Sequence, residues 1–84
     1  MDETKHFWGM LDERGITREW VERTENEPDQ TQDHEDGTRH FIKQIPEFDN
    51  RFLRVIINVK DFPNRRVTAF FDRRLRRKHE SKSR

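Results

Sequence analysis

Eighty-four residues support one domain at most, and a chain this short buries only roughly 60% of the surface it exposes when unfolded. Apolar residues make up 29% of it and charged residues 42%, so the core is thin and the stability small. The absence of cysteine excludes disulfides and thiolate metal sites, and no apolar run reaches the length of a membrane span or a signal h-region, which points to the cytoplasm.

The net charge of +1 hides an asymmetry. Residues 1–37 carry four basic and twelve acidic side chains; residues 38–84 carry fourteen basic and five acidic. Such poles attract partners of opposite charge, unless the two lobes neutralise each other across the fold.

Asp2 suits an N-cap, and Phe7, Met10 and Leu11, widened by Trp8, form an apolar stripe at helical spacing. His6 lies on its margin. Gly15 reads as the left-handed residue that ends this helix, placed at residues 3–14. Thr17 caps a second helix that presents Trp20, Val21 and Thr24 on one face and stops before Pro28. Residues 29–37 are polar, with a weak edge strand near Gln30 to His34 and a hairpin-turn signal at Asp36-Gly37.

Arg39 to Ile45 reads as a strand with Phe41 and Ile45 inward and Lys43 packed by its stem, although Ile42 asks for burial on the other face. Phe52 to Val59 and Arg66 to Asp72 are the clearest strands, joined by a loop containing Pro63 and Asn64. Side chains alternate across a strand, so Leu53, Val55, Ile57, Val67, Ala69 and Phe71 are the expected sheet core. Phe7, Leu11, Trp20 and Val21 are expected to cover it. The opposite face carries Phe52, Arg54, Ile56, Asn58, Arg66, Thr68, Phe70 and Asp72. It suits a phosphate-bearing ligand, and equally an ordinary solvated sheet face. The expected class is α+β: two N-terminal helices on a three- to four-stranded antiparallel sheet. A domain over residues 1–77 is followed by a disordered basic tail, residues 78–84.

Two groups of residues carry a resemblance. His6, then Glu13-Arg14-Gly15-Ile16, Thr17, Val21 and Asn26-Glu27-Pro28, resemble the front half of a small prokaryotic domain family of unassigned function. Leu53-Arg54-Val55 and Val67-Thr68-Ala69-Phe70-Phe71-Asp72-Arg73 look like that family's paired strands. The order of elements is also similar to BrnT toxins and, more remotely, to the RelE superfamily of ribonucleases. The resemblance covers about residues 5–77. It implies the toxin of a type II toxin–antitoxin pair, a metal-independent, mRNA-interferase-like endoribonuclease. Its partners would be RNA, including ribosome-associated mRNA, and a cognate antitoxin, with assembly as a homo-oligomer or with the antitoxin. The family pattern has a basic residue four positions after the His; this chain has Met10 there.

Metal-independent RNA cleavage needs a base for the 2′-OH, a cation for the developing phosphorane charge and an acid for the leaving oxygen. His6 and His40 are the histidines to consider, because imidazole titrates nearest neutrality. His34 and His79 fall in a loop and a tail and are set aside. The resemblance favours His6 with Arg14 and Arg54 as the catalytic set. His40, Asn58, Arg66, Thr68, Arg73, Arg74, Arg76 and Arg77 are the expected RNA contacts. No cofactor is expected, and no His or carboxylate pair has metal-ligand spacing on one element. Two other readings use the same residues: a nucleic-acid-binding module without catalysis, and a protein-interaction subunit that docks a basic partner on the acidic lobe.

Overall fold

Thr17 shows how local chemistry sets the architecture. Its side chain accepts the Trp20 N–H at 3.1 Å and its backbone is extended, so a second helix starts directly behind it. Gly15, at φ 72°, turns the chain out of the first helix just before. The computed structural model describes residues 2–75, with side chains from Lys5 onward. The elements are α1 (Asp2–Glu13), α2 (Arg18–Asn26), β1 (Gln30–Asp33), β2 (Thr38–Ile45), a 3₁₀ turn (Pro46–Phe48), β3 (Arg51–Asn58) and β4 (Arg65–Phe71).

The four strands pair antiparallel in chain order. The edge strand expected at Gln30 is β1, and Gly37, at φ 89°, makes the turn into β2. Both helices pack on one face of the sheet, which makes the α+β arrangement expected from the sequence. Phe7, Leu11, Ile16 and Val21 meet Ile45, Leu53, Val55 and Ala69 in one core. Trp20, Phe48 and Phe71 extend it as an aromatic cluster with ring centroids 4.6–5.9 Å apart. Ile16, absent from the expected core, is 5% exposed. No helix among the described residues is long and apolar enough to cross a membrane.

Two expectations fail at one place. Ile56 pairs with Thr68 but Ile57 pairs with Arg66, so Val67 is an extra residue in β4. This bulge breaks the alternation on which the inward placement of Val67 rested. Val67 is 49% exposed, and the half-buried Arg66, expected outward, turns toward the helices. Its guanidinium grips Glu25 at 2.6 Å and stands 5.2 Å from the Trp8 ring. Ile57 packs at the margin of the core instead of its centre.

Acidic and basic lobes meet across this framework. Arg66 pairs with Glu25, Arg39 with Asp33 at 2.6 Å, and Lys43 with Asp29 at 3.6 Å. Lys43 also donates to the Glu27 carbonyl at 2.8 Å, at the end of α2. The charge asymmetry of the sequence is therefore partly offset by ion pairs between the two lobes. Arg73 and Arg74 remain exposed beyond β4. Arg76, Arg77 and the tail expected at 78–84 lie outside the described residues.

Candidate functional site

The face of the sheet away from the helices carries one polar group from each strand region. Antiparallel register puts Gln32 of β1 opposite His40 of β2, Ile42 opposite Arg54 of β3, and Arg54 opposite Phe70 of β4. Asp72 follows β4 and is tied back by its N–H to the Phe52 carbonyl at 2.9 Å. Gln32, His40, Arg54 and Asp72 therefore lie together.

Arg54 is the centre. It is 8% exposed and Asp72 is 4% exposed, both unusual for charged residues. Their guanidinium and carboxylate meet through Nε and Nη2 at 2.9 Å each. Nη1 donates to the Gln32 Oε1 at 3.2 Å and to the His40 Nδ1 at 2.8 Å. Burial pushes the Asp72 carboxyl up, but the hydrogen bond and charge of Arg54 outweigh it and hold Asp72 below the ordinary range. Asp72 also accepts the Arg74 N–H at 3.1 Å, which fixes where the basic segment leaves the sheet.

The bond from Arg54 decides the state of His40. Arginine keeps its protons, so Nδ1 must supply the lone pair and Nε2 must carry the hydrogen. Nε2 faces the Thr38 hydroxyl at 3.4 Å, and that hydroxyl donates to Asp36 at 2.6 Å. Burial, then His34 and Arg54, push His40 below its ordinary value of 6.5, against a smaller pull from Asp36. His40 is thus a neutral donor.

His34 is the residue that sequence reasoning set aside. Its ring stacks on His40 with centroids 3.8 Å apart. Its Nε2 meets the Gln32 Oε1 at 3.2 Å. An amide oxygen only accepts, so His34 carries a hydrogen on Nε2, and in the neutral ring the lone pair is on Nδ1. The signal was present: Asp36-Gly37 sets a turn with His34 and His40 on either side.

The other expected residues fall elsewhere. His6 is exposed on α1, against the opposite face of the sheet. Arg14 donates to the Ala69 carbonyl at 2.8 Å and the Thr68 hydroxyl at 3.2 Å, tying α1 to the edge strand β4. Met10 accepts the Thr68 hydroxyl on its sulfur at 3.6 Å. Asn58 lies opposite Thr38 and accepts the Lys60 N–H at 2.9 Å. The structure brings His40, Arg54 and the start of the Arg73-Arg74 segment together, and leaves His6, Arg14, Arg66 and Thr68 apart from them. Among the described residues no group of three or more histidine or carboxylate side chains is placed to hold a metal ion.

No family model matches this chain, and no curated protein or solved structure matches it either.

The state of His40 has a consequence for stability. Its value in the folded chain is lowered, so below 6.5 the unfolded chain binds more protons. The stabilisation is complete above that value and is lost as pH falls through it. Wild-type stability should decline as pH falls below about 6.5, with a slope of at most about 1.4 kcal/mol per pH unit because one ring takes up at most one proton. His40→Gln keeps an acceptor for Arg54 and removes the titration. Urea unfolding of this variant over the same range should give a flatter profile.

Proposed function

We propose that this chain is the RNA-cleaving toxin of a two-component toxin–antitoxin pair, with its chemistry on the open face of the sheet at His34 and His40. The observation that carries the reading is the stacked imidazole pair, in which the neutral His34 ring has its lone pair on Nδ1 and His40 carries an N–H on Nε2. The similarity of the order of elements to BrnT toxins supports the toxin assignment. Arg73 and Arg74, exposed beside Asp72, suit the approach of a polyanion.

In this reading His34 Nδ1 takes the proton of a ribose 2′-OH. The 2′-oxygen attacks the adjacent phosphorus, the bond to the 5′-oxygen breaks, and that oxygen leaves after taking a proton from water. The products are a 2′,3′-cyclic phosphate and a 5′-hydroxyl. His40 Nε2–H exchanges its long bond to Thr38 for a phosphate oxygen and stabilises the charge that builds there. Gln32 and Arg54 are positioning residues that fix the two tautomers.

A second reading is favoured by the saturation of Arg54. Asp72, Gln32 and His40 occupy its donors, so it has little left for a phosphate. A module that binds RNA without cutting it would have such a site. Incubating the protein with single-stranded RNA in EDTA separates the two. Cyclic-phosphate products support the toxin; a salt-sensitive mobility shift without cleavage supports the binding module. Absence of both would overturn the RNA reading.

A further inference from the structure

Phe62 is 98% exposed. A single apolar side chain in water is ordinary, but this one is carried to a particular place. β3 ends at Asn58, which pairs with Thr38 at the start of β2. The β3–β4 loop therefore leaves the sheet at the same end as the β1–β2 turn that bears His34. The two are tied together. Val59 N–H donates to the Gly37 carbonyl at 3.0 Å, and the stem of Lys60 lies so close to Gly37 that a Cβ there would overlap it. A strand spacing of about 4.8 Å puts the root of the Phe62 loop on the order of 10 Å from the imidazole pair, a span of roughly one or two nucleotides.

The loop's charges suit the same ligand. Lys60 and Arg65 flank Phe62 in the chain, and Arg65 pairs with the neighbouring Asp61 at 3.5 Å, which leaves the loop with a net positive charge. An exposed aromatic face between cations is the arrangement on which a single-stranded base stacks, because every base has a π-face and the backbone needs positive charge.

We infer that Phe62 is a base-stacking subsite for single-stranded RNA, seating a nucleotide next to the phosphate held at His34 and His40. This rests on the RNA reading above. The subsite takes a base of any identity, since stacking reads no hydrogen-bond pattern.

The test uses a labelled, uncleavable 2′-O-methyl oligonucleotide and fluorescence anisotropy, so that binding is read without cleavage. Phe62→Ala should raise Kd about 5- to 100-fold. Phe62→Leu keeps the apolar bulk and loses the ring, and it should resemble Phe62→Ala. Phe62→Trp should bind like the wild type, with added tryptophan emission that is quenched on binding. An oligonucleotide lacking its bases should bind wild type and Phe62→Ala alike. The side chain packs on nothing, so the variants should fold. Normal RNA affinity for both Phe62→Ala and Phe62→Leu would overturn the subsite while leaving the RNA reading intact. Wild-type affinity in Phe62→Leu alone would also overturn it and point to apolar contact with the strand in place of ring stacking. A wild type that does not bind the strand would overturn both.

Discussion

Arg54→Ala should destabilise the domain by about 3 kcal/mol, because it strips the buried Asp72 carboxylate of its main partner and leaves only the weaker contacts of Arg74. A small domain has only about 5–15 kcal/mol in total, so this one substitution threatens the fold. The loss exceeds that of an exposed ion pair for a physical reason. Asp72 is 4% exposed and has no water to turn to. Arg54 also holds Gln32 and His40, so β1 loses its side-chain link to β3 while keeping its ladder with β2. Replacing both partners, with Arg54→Met and Asp72→Leu, removes the stranded charge and should restore much of the stability. Urea denaturation of the single and double variants checks this. An Arg54→Ala protein as stable as the wild type would contradict the buried pair. The pair also contributes to acid sensitivity. Asp72 is depressed in the folded chain, so its contribution is present above its ordinary value of 3.8 and is lost as pH falls below that value.

His34→Ala should lower RNA cleavage by about 10²-fold or more, the usual scale for losing a general base. His34 is exposed and makes one ring stack and one hydrogen bond, so the fold should survive. Binding of an uncleavable strand should change far less than the rate, which separates a base from a contact. His6→Ala is the control. His6 stands on α1 behind the sheet, and its variant should cut RNA at the wild-type rate. Equal loss in the two variants, or loss in His6→Ala alone, would return the site to the first helix.

Much of the fold was legible because its signals are local. Thr17, Gly15 and the Asp36-Gly37 turn act within a few residues of themselves. The apolar alternation of Leu53, Val55, Ala69 and Phe71 needs only period-two sterics. The bulge at Val67 was hidden because one inserted residue leaves no mark in composition while reversing the strand's faces beyond it. The burial of Arg54 was hidden for another reason. Its partners Gln32, His40 and Asp72 come from different strands, and only register brings them together. Read singly, Arg54 looks like a phosphate ligand; in register it becomes the support for two imidazoles. His34 was lost through the same omission, since its stack on His40 follows from pairing Gln32 with His40.

The location of the site is most directly tested by titrating isotope-labelled protein with an uncleavable single-stranded RNA and following backbone amide and arginine Nε–H resonances. Shifts should concentrate at Gln32 to His40, at the Arg54 Nε–H and at Phe62, with α1 unmoved. Shifts confined to His6, Gly9 and Arg14 would contradict a site on the open face of the sheet.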